Sequence, residues 1–158
     1  MALTVDLPNS MSNTASSVHA RLTYVALAFG TIAIGLTVHW YGSVLAPTWR
    51  DVVGDILWAA MIAWWVGAIA PSLSLRARSV VAVTICFAVE VSQLSHTPAL
   101  EMMRRTTVGQ LTLGTGFDTR DLFAYVAGVL ATVFLERTGR RWLGRSTDSA
   151  AANERAIE

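Results

Sequence analysis

Long apolar stretches separated by short polar ones are the main pattern along this chain. The apolar stretches lie at about 22–41, 51–70, 79–95 and 121–135, and Pro71 ends the second. The first is close to the roughly 20 residues that an α-helix needs to cross a hydrocarbon core of about 30 Å. The pattern therefore predicts an all-α fold, an integral membrane bundle of four transmembrane helices.

The segment between the third and fourth helices, 96–120, is too long and too apolar for a simple connector. Pro98 begins a part suited to a short interfacial helix, and Gly109, Gly114 and Gly116 punctuate the remainder. Non-helical backbone at membrane depth is tolerated only where protein surrounds it. We therefore expect a long, partly apolar loop that packs against the bundle.

The two ends of the chain differ from its middle. Residues 1–20 are polar, rich in Ser, Thr and Asn, and without hydrophobic periodicity. We expect a disordered tail there, a four-helix transmembrane domain over 21–145, and a second disordered tail over 146–158. The apolar stretch at 22–41 is long for the h-region of a signal peptide, so we interpret it as the first helix.

Composition and charge narrow the class of protein. Hydrophobic residues make up 53% of the chain and charged residues 15%, which is far from the average of soluble domains. The formal net charge is only +1, so nothing indicates nucleic-acid binding, which needs clustered positive charge. The expected partner is membrane lipid.

The arginines predict the orientation. Four crossings place both termini and the loop between helices 2 and 3 on one side of the membrane. That side has seven arginines near helix ends: Arg21, Arg76, Arg78, Arg137, Arg140, Arg141 and Arg145. The other side has four: Arg50, Arg104, Arg105 and Arg120. The positive-inside rule then predicts a multi-pass protein of the plasma (inner) membrane with both termini cytoplasmic.

Two acidic residues lie inside the apolar stretches. Asp55 is about one turn into helix 2, and Glu90 lies five residues before the end of helix 3. Because helix 2 enters the membrane where helix 3 leaves it, we expect both carboxyl groups at similar depth. A charge at mid-helix costs roughly 2.5–3.5 kcal/mol on insertion scales, so such residues usually have a role. Two close carboxyl groups without a cation share a proton, as acid–base catalysis or proton coupling requires.

Other polar residues are expected near the same membrane face. Gln93 lies three residues after Glu90, while Asp121 and Tyr125 are one turn apart at the start of helix 4. An acid in the first turn also stabilises a helix through its dipole, and Asp118 is suited to be the N-cap. Together these residues predict a polar site beside the outer leaflet.

Arg104 and Arg105 in the long loop are the cations expected to reach the acids. Arginine suits bidentate recognition of phosphate or carboxylate. The sequence has no G-x-S-x-G, H-E-x-x-H or phosphate-binding glycine motif, and no cofactor is expected. His39 and His96 lie at helix ends, but their spacing fits no recognised ligand motif, so no metal is expected.

Four segments in this order carry a resemblance to a known family: GDILWAAMIAWW, EVSQL, RRTTVGQLTLGTGF and DLFAYVAG. Over about 22–135 the chain resembles the small bacterial membrane proteins grouped as domain of unknown function 2809. The resemblance implies a four-helix integral membrane protein without an established activity.

A more distant similarity is to the VanZ-like family, with E-x-x-Q at one helix end, an Arg in the next loop and D-x-x-x-N-x-x-G opening the last helix. Tyr125 stands where that pattern has Asn. The matching positions are Glu90, Gln93, Arg105 or Arg104, Asp121 and Gly128. Some VanZ-like proteins are associated with low-level glycopeptide-antibiotic resistance and with the cell envelope, so the similarity implies an envelope role.

Three functions stay open. The first is a cell-envelope membrane protein that binds a polar or anionic headgroup, or a small ligand, at the arginine and acid site. The second is an intramembrane enzyme or proton-coupled transporter that uses Asp55 and Glu90. The third is a structural bundle that acts through contacts with partners.

Overall fold

The computed structural model describes residues 8–42, 46–94, 98–109 and 117–155. Within these ranges no residue is in a β-strand, so the all-α prediction is confirmed for the described chain. The main helices are α1 (Pro8–Tyr41), α2 (Pro47–Ile69), α3 (Leu75–Ser92), α4 (Pro98–Arg104) and α5 (Thr119–Arg155).

Among the described residues, three segments are long and apolar enough to span a membrane. They are Ser16–Tyr41, Pro47–Ile69 and Thr119–Trp142. The 18 residues of α3 include Arg76, Arg78 and Glu90, and these charges lower its hydropathy. The chain is therefore built from apolar helices that are compatible with a membrane-spanning protein.

The start of α3 differs from the sequence prediction. The side chain of Ser74 caps the helix by accepting a hydrogen bond from the N–H of Ala77 at 3.2 Å, so α3 begins at Leu75 rather than at 79. A serine in this position satisfies an N–H group that has no partner within the helix. Arg78 therefore lies inside the helix, and not in the preceding loop as predicted.

Both predicted tails are partly helical. The structure has helix at 8–20, where we expected disorder, and α5 continues through 146–155. Neither segment contains Gly, and Pro8 is at a helix start. Extending a formed helix costs far less than nucleating one, so the apolar spans propagate helix into their polar neighbours. Residues 1–7 and 156–158 lie outside the described ranges.

Helix α2 is the centre of the packing. It packs against α1, α3 and α5, and α3 also packs against α5. At Gly128 in α5, an added Cβ would lie 3.0 Å from the Cβ of Ala59 and still closer to the carbonyl oxygen of Ile56. Glycine therefore lets the α2 and α5 backbones approach closely, as small residues do between membrane helices.

In the order α1, α2, α3 and α5, each helix runs opposite to the one before it, so the packed pair α2 and α5 is parallel. At one end of the helices lie Asp55 near the start of α2, Glu90 near the end of α3, and Asp121 at the start of α5. At the other end, Tyr24 of α1 and Arg78 of α3 meet Glu136 of α5. The expected common depth of Asp55 and Glu90 follows from this antiparallel order. Of the long loop, 110–116 lies outside the described ranges, including Gly114 and Gly116.

Candidate functional site

Glu90 joins the end of α3 to the start of α5. Its side chain is 0% exposed, and its Oε2 accepts hydrogen bonds from Gln93 Nε2 at 2.9 Å and Tyr125 OH at 3.0 Å. Its Oε1 accepts a third from the backbone N–H of Asp118 at 2.8 Å. Buried polar groups need such partners, so Glu90 holds the two helices in register.

The start of α5 carries an exposed ion pair. Asp118 is the N-cap, as predicted, because its Oδ1 accepts a hydrogen bond from the backbone N–H of Arg120 at 2.9 Å. The Arg120 guanidinium also donates to Asp118 Oδ2, from Nε at 3.1 Å and Nη2 at 2.9 Å. These hydrogen bonds from Arg120 stabilise the carboxylate and hold the pKa of Asp118 below its usual value.

A cavity of about 650 Å³ lies between α1, α2 and the start of α5. Its lining includes four aspartates and one arginine: Asp51, Asp55, Asp118, Asp121 and Arg120. The carboxyl groups of Asp55 and Asp121 come close enough for a hydrogen bond between them. The nearest partner of Asp55 is therefore Asp121, whereas the sequence paired it with Glu90.

The charge of the cavity lining is negative. Because Arg120 is bonded to Asp118, these two residues offset each other. The hydrogen bond between Asp55 and Asp121 requires a shared proton, so this pair and Asp51 together leave a net negative charge that no other described lining cation offsets. This electrostatic environment favours a positive group over a negative one.

Two buried polar atoms of the lining have no hydrogen-bond partner among the described residues. They are Gln93 Oε1 and Trp58 Nε1. Gln93 is 5% exposed, and its amide nitrogen is committed to Glu90, which leaves the oxygen as an acceptor at the cavity. Both atoms are buried behind the surface of the cavity rather than open to it.

Of the two predicted loop arginines, the structure describes the side chain of Arg105 only, and Arg105 does not join the acids. Arg105 is exposed and is not among the residues that line the cavity, and its backbone N–H donates to the carbonyl of Glu101 at 3.1 Å. Arg104 ends α4, and its side chain lies outside the described part. The arginine at the cavity is Arg120, whose position two residues after the N-cap was the available sequence signal.

The predicted site residues on the helices do come together. Gln93, Asp55, Asp121 and Tyr125 all line the cavity, and Glu90 lies directly behind Gln93 and Tyr125. His39 also lines it. Among the described residues, no group of three or more His, Cys, Asp and Glu side chains is arranged to hold a metal ion. His96 lies outside the described ranges.

A second polar cluster, which the sequence did not predict, lies at the opposite end of the helices. Glu136 Oε1 accepts hydrogen bonds from Tyr24 OH at 2.8 Å, Arg78 Nη2 at 2.7 Å and Arg140 Nη2 at 2.6 Å. The Arg78 guanidinium also lies over the Tyr24 ring, 4.9 Å from its centroid. A Cβ at Gly67 would lie within 3.0 Å of both Tyr24 and Arg78 atoms, so glycine makes room for the cluster.

The fold and site thus have the character of an all-α protein whose apolar helices enclose acidic residues. Residues 44–129, more than half of the chain, match the family described as protein of unknown function (DUF2809), and the chain belongs to this family. The matched region contains α2, α3, α4 and the first part of α5, and with them every predicted site residue. No solved structure matches the chain.

Proposed function

We propose that this chain is an integral membrane protein of four crossings, α1, α2, α3 and α5, that binds a positively charged ligand in the cavity near one membrane face. The ligand's cationic group lies against Asp55 and Asp121. The observation that supports the proposal is the net negative charge of the described residues that line the cavity.

The surface of α3 supports its membrane crossing despite its charges. Beyond Arg76 in its first turn, the large exposed side chains of α3 are apolar: Val80, Val81, Ile85, Phe87 and Val91. Arg78 and Glu90, by contrast, are buried against neighbouring helices. Ionisable residues of membrane helices usually face the bundle interior in this way. At 1.5 Å per residue, the 18 residues of α3 span about 27 Å, close to the thickness of a hydrocarbon core.

The distribution of exposed arginines supports an orientation with both termini cytoplasmic in the plasma membrane. The end of the helices opposite the cavity carries Arg21, Arg76, Arg137, Arg140 and Arg141, all exposed. Positive charge of this kind is retained on the cytoplasmic side. The cavity then opens toward the outer face, in agreement with the envelope role that the VanZ-like similarity implies.

A cation suits the geometry better than the anionic headgroup that the sequence suggested. An anionic ligand would depend on Arg104 or Arg105, and Arg105 is outside the cavity lining. Arg120 is at the cavity but is bonded to Asp118. An anion would also meet Asp51, Asp55 and Asp121, and like charges repel strongly where water is scarce.

The test is equilibrium dialysis of tetramethylammonium against the full chain in lipid nanodiscs, with empty nanodiscs as the blank. We expect saturable binding that Asp55→Asn and Asp121→Asn each weaken about tenfold or more, since each removes a charge-assisted contact. Glu101→Gln is the matched control, because Glu101 is exposed and does not line the cavity. Binding of methanesulfonate in place of tetramethylammonium would contradict the proposal.

A second candidate, proton-coupled transport, is favoured by the contact between Asp55 and Asp121. Carboxyl groups that touch can exchange a bound proton for a cationic ligand. This candidate predicts that tetramethylammonium binding releases protons, measured with a pH indicator in weakly buffered solution. If tetramethylammonium bound without proton release, cation binding would stand and proton-coupled transport would be excluded.

A further inference from the structure

We infer that the natural ligand of the cavity is an amphipathic cation, with an apolar body seated between α1 and α2 and a cationic group at the acids. The inference rests on the proposed cation site and adds the chemical class of the ligand. Its basis is the ordering of apolar and acidic side chains along the two helices that form the cavity walls.

The size of the cavity exceeds what a simple cation needs. A volume of about 650 Å³ falls within the roughly 300–1,000 Å³ typical of sites for drug-sized molecules. A metal ion or a small ammonium compound would leave most of this space unfilled. A ligand that fills it must carry a sizeable body besides its charged group.

The lining has an apolar section deeper than the acids. On α2, Leu57 and Met61 follow Asp55, and Met61 lies about 9 Å farther along the helix at 1.5 Å per residue. On the antiparallel α1, Leu36 and Ile32 line the cavity one and two turns before the helix end. Both walls therefore become apolar in the same direction, away from the membrane face.

Trp58 lies at the junction of the two sections, one turn after Asp55. Its ring contacts Tyr125 with centroids 5.6 Å apart, and its buried Nε1 has no hydrogen-bond partner among the described residues. An indole face attracts a cation and also packs against an apolar body. The Trp58 ring, which lines the cavity, therefore suits the junction between a cationic group and an apolar body.

Two glycines in the cavity walls allow a direct test of the apolar section. Gly35 and Gly54 line the cavity, and a Cβ added at either would meet no heavy atom within 4 Å. A Cβ at Gly35 therefore enters open space, and we expect a larger side chain there to occupy part of the cavity. Gly30, also on α1, is equally open but does not line the cavity, so Gly30→Leu is a matched control.

The experiment compares tetramethylammonium with benzyltrimethylammonium by equilibrium dialysis against the full chain in nanodiscs, with empty nanodiscs subtracted. We expect benzyltrimethylammonium to bind at least about tenfold more tightly, because its ring removes further apolar surface from water. Gly35→Leu should abolish this advantage. Gly30→Leu should change neither affinity. Gly54→Leu serves as the second cavity variant if Gly35→Leu does not fold.

The outcomes separate this inference from the proposed function. Equal affinity for both compounds in the unmodified chain would overturn the inference while leaving the cation site intact, and this comparison needs no variant. Binding of neither compound would overturn both proposals. Equal binding of benzyltrimethylammonium and benzenesulfonate would overturn both proposals, because the cavity would then accept apolar bodies, lipid chains included, without selecting for positive charge.

Discussion

Replacing Glu90 by glutamine tests whether this residue is structural or part of the binding site. Glutamine keeps the size of the side chain but has one acceptor oxygen, whereas Glu90 uses two oxygens to accept three hydrogen bonds. If the oxygen of the new glutamine points toward Gln93 and Tyr125, its NH₂ group faces the backbone N–H of Asp118, and two donors meet. With the opposite orientation, the other two donors lose their acceptor.

The magnitude follows from the number of donors left unpaired. A buried unpaired donor costs about 1–3 kcal/mol, so we expect Glu90→Gln to lower the free energy of unfolding by about 1–3 kcal/mol. Glu90→Ala leaves all three donors unpaired and opens a cavity, so its cost should exceed 3 kcal/mol or so. Asp55→Asn should not destabilise the chain, since it removes one of several neighbouring carboxyl charges.

Unfolding of the detergent-solubilised protein by a graded rise in sodium dodecyl sulfate, followed by circular dichroism, gives these differences. Tyr125→Phe, alone and combined with Glu90→Gln, completes a double-mutant cycle. We expect a coupling energy of about 0.5–1.5 kcal/mol for the Tyr125–Glu90 hydrogen bond. If Glu90→Gln were as stable as the unmodified chain, our assignment of Glu90 as a structural acid would be refuted. If Asp55→Asn lowered the free energy of unfolding as much as Glu90→Gln, our assignment of Asp55 as a binding acid would be refuted.

Three further predictions concern packing, the second polar cluster and pH. Gly128→Ala should destabilise the chain by at least about 1–3 kcal/mol by forcing α5 away from α2, whereas Gly139→Ala, with open space around it, should stabilise by about 0.5–1 kcal/mol. Glu136→Gln should cost about 3–5 kcal/mol because it leaves a buried guanidinium without its carboxylate, whereas Arg140→Gln at the exposed edge should cost under about 1 kcal/mol. The pKa of Asp118 is lower in the folded chain than its usual value of 3.8, so its ion pair stabilises the fold fully above pH 3.8. This stabilisation is lost as the pH falls through the lowered pKa, and Asp118→Asn should remove this part of the pH dependence.

Each of these predictions is checked by the same unfolding titration, and the Asp118 prediction by its repetition from neutral to acidic pH. Equal effects of Gly128→Ala and Gly139→Ala would show that α2 and α5 do not approach closely. If Arg140→Gln lowered the free energy of unfolding as much as Glu136→Gln, the exposed Arg140–Glu136 pair, rather than the buried Arg78–Glu136 pair, would be the main stabilising contact of the cluster. If Asp118→Asn lost stability at acidic pH to the same extent as the unmodified chain, the ion pair would be excluded as the source of that loss.

The antiparallel arrangement was accessible from sequence because it depends on local patterns. The apolar stretch at 51–70 corresponds to α2 at Pro47–Ile69, and the alternation of such stretches was enough to bring Asp55 and Glu90 to one end. Asp118 was recognisable as an N-cap from its place before a run of helix-forming residues. These features require no knowledge of side-chain packing.

The second polar cluster was not accessible, because it joins residues that are far apart in sequence. Tyr24 lies 112 positions from Glu136, and Arg78 lies 58 from it. Hydropathy treats Arg78 as a loop residue, since it cannot distinguish a buried, paired arginine from an exposed one. The same limit applies to the wall of the cavity on α1, where Ile32 and Leu36 look like any other apolar residues of the span.

The choice among the arginines shows a related limit. Arg104 and Arg105 lie between α3 and the last span, whereas Arg120 lies in the first turn of that span, and the sequence alone favoured the adjacent pair. What decides is the fixed geometry of the N-cap: a residue two positions after Asp118 must lie beside it. Arg120 is therefore held at the helix cap by its ion pair with Asp118, and its charge also acts on Asp51 and Asp121.

The most direct test of the cation site is native mass spectrometry of the protein released from nanodiscs, with the mass and fragments of any retained small molecule determined. We expect a retained molecule that carries an amine or a quaternary ammonium group, and its loss from the Asp55→Asn, Asp121→Asn double variant. A retained anion without a positive group, held equally by that variant, would contradict the account.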